Sequence, residues 1–479
     1  MSIFRNLFTV VAVFAVAASG SDMAITQVQA QELPAVVADA LKQARIPVRN
    51  AGVFVQEAGG GNKVMLSSNA GEAFNPASVM KLVTTDAALE LLGPAYSWKT
   101  QAYVDGTLDK GVLQGNLSIK GSGDPKLVME NFWMFLRQIR ASGVRDIRGN
   151  LQLDRSIFED TLYDPSQFDG DPQKPYNAGP DALLLNYKSI AVRFAADPAN
   201  GQVAVSMEPP LAGYTVTAPR LANGTCNDWQ TALQADIGPA DARFNGSFSA
   251  ACGEKIWYIH PWKMNGTQYF GAVFRQMWRE LGGTFDGTVV NANAAPDARL
   301  VAQWQSPALP EVIRDINKYS NNVMARQLLL TIAADVTQQP GNVARGASVI
   351  KTWLANKGLP ADDLVIENGA GLSRNERIAP ATLGRILNAA FVSPLMPEFL
   401  ASMPLVGYDG TMRKRLKQKT VAGQAHIKTG SLNDVRSIAG FVQAASGKYY
   451  VVVCLINHAN APQGQKAQDA LLQWVYENG

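Results

Sequence analysis

Cysteine and histidine are scarce in this chain of 479 residues, with three of each. That scarcity closes off much chemistry. Cys226, Cys252 and Cys454 share no ligand-like spacing with one another or with His260, His426 and His458. No metal or other cofactor is therefore expected, and no histidine-centred triad can be read. Long apolar runs are missing as well. Beyond residue 30 no uninterrupted apolar stretch reaches the ~18 residues a membrane-crossing helix needs, so the mature chain is expected to carry no transmembrane segment. Charge of one sign is also lacking: 43 Lys and Arg stand against 40 Asp and Glu, a net +3. Such a balance gives no footing for nucleic-acid binding. No low-complexity tract or internal repeat is evident. What remains is globular, 47% hydrophobic and 17% charged, and too long for one ordinary domain.

Residues 1–30 read as a secretory signal. Arg5 supplies the positive start, Leu7 to Ala18 the apolar stretch, and Val28 with Ala30 a small-residue cleavage site. Cleavage after Ala18 or Gly20 is the alternative. No cysteine follows the apolar run, so no lipid anchor is expected. Export makes a disulfide permissible, and a bond between Cys226 and Cys252 would close a modest loop in one polar region. Cys454 sits in the run Val451 to Ile456, which reads as a buried strand where cysteine acts as a small hydrophobe. The basic run Arg413 to Lys419 reads as a solvated face, or else as a contact for an acidic polymer.

The two ends of the chain carry alternating helix and strand signals. Pro34 to Arg45 has helical apolar spacing, and Val53–Val55 and Val64–Leu66 read as strands around the Gly59-Gly60-Gly61 turn. A helix opens at Asn75-Pro76, a good cap and first position, and runs to Leu92, where Gly93-Pro94 stops it. Near the C-terminus, Ser431 to Ile456 holds two apolar runs joined by Ser446-Gly447, a hairpin signal, and residues 466–476 form an amphipathic helix. These elements describe an α/β sandwich. Residues 101–290 differ, with alternating strand patterns, turn clusters and one clear helix, Leu127 to Ile139. The expectation is a discontinuous α/β domain, 31–100 and 291–479, interrupted by a mostly β insertion, 101–290, that holds one or two subdomains.

Three short motifs carry the chemistry: Ser78-Val79-Met80-Lys81, Ser320-Asn321-Asn322 and Lys428-Thr429-Gly430. In this order they form the S-x-x-K, S-x-N, K-T-G set of penicillin-binding proteins and class A β-lactamases. Ser78 and Lys81 are three apart on a helix and share a face. Ser78 lies in the first turn, where free N–H groups favour a developing oxyanion. The same potential, burial and a second cation at Lys428 favour a neutral Lys81 that can take the Ser78 proton. Ser320 is placed to pass a proton to the leaving amine, and Asn322 to hold Lys81 and the substrate backbone; taken alone, both also suit a helix cap. Lys428 and Thr429 are candidates for the substrate carboxylate, on an edge-like strand where Gly430 permits close approach. The N–H of Ser431 would complete the oxyanion hole with that of Ser78. His426 reads as structural rather than as a base.

Beyond the motifs the chain resembles the class C low-molecular-mass penicillin-binding proteins, the D-alanyl-D-alanine carboxypeptidase/endopeptidases of the penicillin-binding protein 4 type. The resemblance spans nearly the whole mature chain. It includes Gly121-Ser122-Gly123-Asp124-Pro125, the segment Pro175 to Ala182, Gly371-Leu372-Ser373-Arg374 and Gly407-Tyr408-Asp409-Gly410-Thr411. The 242 positions between Ser78 and Ser320 match that family's habit of inserting domains between the first two motifs, while 108 separate Ser320 from Lys428. The resemblance implies a β-lactamase/transpeptidase-like α/β sandwich in a periplasmic hydrolase. Its substrates would be peptidoglycan stem peptides, with β-lactam antibiotics as covalent inhibitors. It also suggests that Asp154, Phe158 and Arg374 meet the amine and carboxylate of a diaminopimelate side chain. One departure, Asn368-Gly369-Ala370-Gly371 in place of Asp-Gly-Ser-Gly, is expected to affect local turn structure alone. Two rivals are weaker. No Glu-x-x-Leu-Asn element of class A β-lactamases follows Asn322, Tyr319 stands one place too early for a class C enzyme, and intact motifs argue against an idle wall-binding scaffold.

Overall fold

Five antiparallel strands form the central sheet, in the order Val64–Ser68, Ala51–Glu57, Tyr449–Asn457, Val435–Gln443 and Ala425–Leu432. The computed structural model describes residues 32–59 and 63–479. The expected signal at 1–30, and Gly60 and Gly61 of the anticipated turn, lie outside the described residues. N- and C-terminal segments meet inside the sheet, where Ala51 pairs with Ile456 and Glu57 with Tyr450. Alternate side chains of one strand enter different cores. Val451 and Val453 join Phe54, Leu82, Leu328 and Phe441 on one face, while Val452 and Cys454 join Val37, Leu41, Leu471 and Val475 on the other. A strand buried on both faces needs no polar positions, which is why Val451 to Ile456 is a continuous apolar run. Each such side chain contributes about 1.5–3 kcal/mol on full burial.

The helices Ala35–Gln43 and Gln465–Asn478 cover one face of the sheet, and a larger helical layer covers the other. Central to that layer are Met80–Leu92 and Asn322–Thr337, which pack on each other. Both are buried nearly all round, as their lack of a polar stripe demands.

The chain leaves this layer through Lys99–Val104 and returns through Arg299–Gln305. The two strands pair antiparallel, Val104 with Arg299 and Lys99 with Gln305. The residues between them have their own core, rich in aromatics such as Phe132, Phe194, Phe244, Phe274 and Trp278. Phe194 and Phe244 meet edge to face at 4.8 Å. Two readings need correction. The single expected helix runs from Met129 to Ala141, and a second long one, Gly266–Glu280, accompanies it. Asn265 and Gln268 close a reciprocal capping box at its start. The strands Val289–Asn291 and Arg299–Gln305 also join the sheet that holds Leu117–Lys120 and Leu151–Asp154, so the inserted sheet extends past residue 290. Cys226 and Cys252 form a disulfide with Cα atoms 4.9 Å apart, and Cys454 is a buried free thiol. Among the described residues no helix is long and apolar enough to cross a membrane, and no cluster of three potential metal ligands occurs.

Candidate active site

Ser78 sits in a short 3-10 turn, Ala77–Val79, that feeds directly into the helix Met80–Leu92. Asn75 governs this entry, although the regular helix begins later than the sequence suggests. Its Oδ1 accepts from the Ala77 N–H at 2.9 Å, and its Nδ2 donates to the Ser373 carbonyl at 2.9 Å. Ala77 is held at φ +46°, a left-handed conformation that costs a residue with a Cβ about 1 kcal/mol or more. The turn presents Ser78 to the strand Ala425–Leu432. A Cβ on Gly430 would come within 2.7 Å of the Pro76 carbonyl and 3.0 Å of the Ser78 nitrogen, so only glycine lets the two backbones meet.

Lys81 lies one turn further on with its side chain fully buried. Its Nζ is 3.0 Å from Ser78 Oγ and 2.5 Å from Asn322 Oδ1, and it also donates to the Ala370 carbonyl. A neutral amine has two N–H bonds and one lone pair. Asn322 and Ala370 accept the two protons, which leaves the lone pair for the Ser78 hydroxyl. Burial is the largest influence on Lys81 and holds its pKa well below the usual lysine range. The charges of Lys428 and Arg326 push the same way, and Glu376 opposes them.

The second motif divides a helix cap from two residues that meet lysines. Ser320 ends the helix Leu309–Tyr319 in a left-handed conformation, and the next helix starts at Asn322. The cap is Asn321, whose side chain accepts from the Met324 N–H at 3.1 Å. The side chains of Ser320 and Asn322 are therefore free of capping, and both meet lysines instead. Lys428, fully buried on its edge strand, donates to Ser320 Oγ at 2.9 Å and to the Thr429 carbonyl at 2.6 Å. Burial pushes Lys428 down to about 7. Beside it, the hydroxyls of Thr429 and Thr411 are 2.7 Å apart, and Ser431 is exposed. His426 is partly buried on the same strand, held below its ordinary pKa first by burial and then by Lys318.

Sequence reasoning missed the Ala370 carbonyl. The loop Asn368-Gly369-Ala370-Gly371 does more than shape a turn, because it supplies an acceptor to Lys81. Gly371, at φ +77°, packs so tightly that a Cβ would fall 1.8 Å from the Ala77 carbonyl. Two glycines around a small residue were the available signal.

The three residues suggested for a substrate side chain separate in the structure. Asp154 is buried, with Oδ1 bonded to the Ser156 N–H and hydroxyl and Oδ2 accepting from the Ala294 N–H at 3.1 Å. Phe158 is buried against Ala182 and Leu330. Neither lines the adjacent cleft of about 530 Å³, whereas Arg374 does, with Glu159, Asp164, Arg326 and Glu367. Arg374 pairs with Asp434 at 3.0 Å and lies over the Phe168 ring at 4.9 Å.

The profile of the D-Ala-D-Ala carboxypeptidase 3 (S13) family matches residues 33–478. The D-alanyl-D-alanine carboxypeptidase DacB of Haemophilus influenzae is 25% identical over 399 residues, 83% of each chain. The D-alanyl-D-alanine carboxypeptidase of Actinomadura sp. R39 is 26% identical over 436 residues, 88% of this chain and 80% of that one. The crystal structure of penicillin binding protein 4 from Haemophilus influenzae superposes with a TM-score of 0.77 at 24% identity, covering 92% of this chain and 99% of that one. A β-lactam complex of the same protein gives 0.73 at 23% identity. This chain belongs to the D-Ala-D-Ala carboxypeptidase 3 (S13) family of peptidases and shares the α/β sandwich fold of penicillin binding protein 4.

Proposed function

We propose that Ser78 is the nucleophile of a two-step hydrolysis of the terminal D-alanyl-D-alanine bond in peptidoglycan stem peptides. Neutral Lys81 takes the Ser78 proton as Oγ attacks the carbonyl. The N–H groups of Ser78 and Ser431 receive the oxyanion. Lys428 and Thr429 hold the terminal carboxylate, and the Asn322 amide holds the substrate backbone. As the C–N bond breaks, Ser320, bonded to Lys428, passes a proton to the departing amine. The proton held by Lys81 replaces the one Ser320 gave up; neutral Lys81 then takes a proton from the water that attacks the ester carbonyl and returns it to Ser78 as the Ser78–acyl bond breaks. The observation that carries this reading is the 3.0 Å contact of Lys81 Nζ with Ser78 Oγ while Asn322 and Ala370 accept its N–H bonds.

The same attack on a β-lactam ring gives an ester whose leaving amine stays tethered, so covalent inhibition follows. Arg374, Glu159 and Asp164 along the cleft offer both signs of charge. That supports endopeptidase action on D-alanyl–diaminopimelate crosslinks, whose side chain carries an amine and a carboxylate. A wall-peptide substrate and a signal at residues 1–30 fit a periplasmic enzyme. The test incubates purified protein with a disaccharide pentapeptide, a crosslinked dimer and penicillin, and reads products and adducts by mass spectrometry. Loss of D-alanine, cleavage of the dimer and a long-lived adduct on Ser78 are expected. Unimpaired cleavage by Ser78→Ala would refute the mechanism, and rapid penicillin turnover would favour a β-lactamase.

A further inference from the structure

We propose that Glu376 is a positioning residue for Lys81: its buried carboxylate anchors the loop that carries the Ala370 carbonyl and supplies the negative charge facing the lysine when Ser78 is activated. The inference rests on the assignment of Lys81 as the base.

Glu376 is fully buried. One carboxylate oxygen, Oε1, accepts three consecutive backbone N–H groups, from Glu367 at 3.0 Å, Asn368 at 2.9 Å and Gly369 at 3.0 Å. Three donors converging on one oxygen suit a carboxylate far better than a neutral acid. The other oxygen, Oε2, is buried with no hydrogen-bond partner among the described residues. An oxygen left bare in a dry interior is costly unless a nearby charge compensates it. Lys81 and Arg326 are the buried cations on which Glu376 acts.

The anchored loop reaches the catalytic centre directly. Gly369 accepts from the Thr84 hydroxyl at 2.8 Å, Ala370 accepts from Lys81, and Gly371 abuts Ala77. Inside the loop, Asn368 Oδ1 accepts from the Ala370 N–H at 2.8 Å, and its Nδ2 donates to the Leu372 carbonyl at 2.9 Å. Ser373 Oγ accepts from the Glu376 N–H at 3.0 Å and donates to Glu367. Pulling Glu376 away would free the three N–H groups that hold the Ala370 carbonyl in line.

Charge acts alongside the anchor. The groups acting on Lys81 are Lys428 from the edge strand, Arg326 from the helix Asn322–Thr337, and Glu376. Among the described residues Glu376 is the one carboxylate in this set. Glu367, the neighbouring acid, is spent on Ser373 and Asn375. Burial holds the pKa of Glu376 above its ordinary value, with the three N–H groups and Lys81 pulling the other way. Without the carboxylate, Lys81 would face two cations alone and release its proton at lower pH.

The test compares Glu376→Gln with the wild type in the rate of penicillin acylation at Ser78 across pH, with adducts counted by mass spectrometry. Glutamine keeps an oxygen for the three N–H groups but has no charge. Its acid limb is expected about one pH unit lower than that of the wild type. Glu376→Ala, which removes anchor and charge together, is expected to slow acylation about 100-fold through a misplaced Lys81. An unchanged acid limb in Glu376→Gln overturns the proposal, as does wild-type acylation by Glu376→Ala. Should the alanine variant fail to fold, the pH profile of the glutamine variant decides alone. Absence of acylation in the wild type would instead refute the Ser78 and Lys81 reading beneath it.

Discussion

Lys318 Nζ lies 2.5 Å from Asp409 Oδ2, an ion pair that joins the helix ending at Ser320 to the loop carrying Thr411. The lysine end is buried and the aspartate end half open, and Asp409 Oδ1 also accepts from the Leu405 N–H at 2.8 Å. Two of the three motifs are thus braced from behind by a charge pair that touches neither Ser78 nor Lys81 directly.

Asp409→Ala strands the Lys318 ammonium in a dry site. A loss of about 2 kcal/mol is expected, below the value for a fully buried pair because Asp409 keeps water. Urea denaturation measures the loss. Penicillin acylation should slow as well, since Ser320 and Thr429 lose a common brace.

Lys428 is a cation the fold holds at a cost. Its folded pKa of about 7 lies below the ordinary 10.5. Between those values the unfolded chain binds a proton that the folded chain does not, so stability rises with pH across the window. Lys428→Met removes the burden. It is expected to gain about 2 kcal/mol near neutral pH while losing nearly all activity. The gain should fade as pH rises through about 10.5, above which lysine is neutral in both states. Denaturant midpoints of both proteins across pH provide the check.

Adjacent asparagines should fail differently. Asn321→Ala removes a helix cap and should cost about 1 kcal/mol with acylation largely retained. Asn322→Ala removes an acceptor from Lys81 and should slow acylation about 100-fold with little change in stability. Equal effects on both measurements would contradict this division of labour.

Gly371→Ala puts a Cβ 1.8 Å from the Ala77 carbonyl at a φ of +77°. The turn that presents Ser78 must shift, and acylation should fall about 100-fold. Gly447→Ala is the matched control, since Gly447 has φ +85° with nothing within 4 Å. It should cost about 1 kcal/mol of stability and leave acylation intact.

Side-chain chemistry at short spacing is legible in the sequence itself. Ser78 with Lys81, and Lys428 with Thr429 and Gly430, declare themselves because the residues are neighbours along the chain. The strand around Cys454 is legible because burial on two faces leaves an unbroken apolar run. The Ala370 acceptor is not, because a backbone carbonyl has no letter of its own and its placement depends on two glycines and on Glu376. The helix Gly266–Glu280 does carry a signal, with Tyr269, Phe270, Val273, Phe274, Met277 and Trp278 at helical spacing. Strand-like neighbours on both sides mask it. Asp154 is harder to read, because its charge is visible in sequence while one of its partners, the Ala294 N–H, lies 140 residues away.

The antiparallel pair formed by Lys99–Val104 and Arg299–Gln305 has a consequence for how the catalytic centre assembles. Ser78 and Ser320 are separated by 242 positions, and closing so long a chain carries an entropy cost. Once the two strands pair, the intervening core lies outside the loop. The effective chain between the serines then shrinks to about 40 residues, which relieves about 1.5 kcal/mol at ~0.6 kcal/mol per halving. Folding of the inserted region thereby draws the first two motifs together, and a nick in an exposed turn of that region, with both strands intact, leaves the route to the active site open.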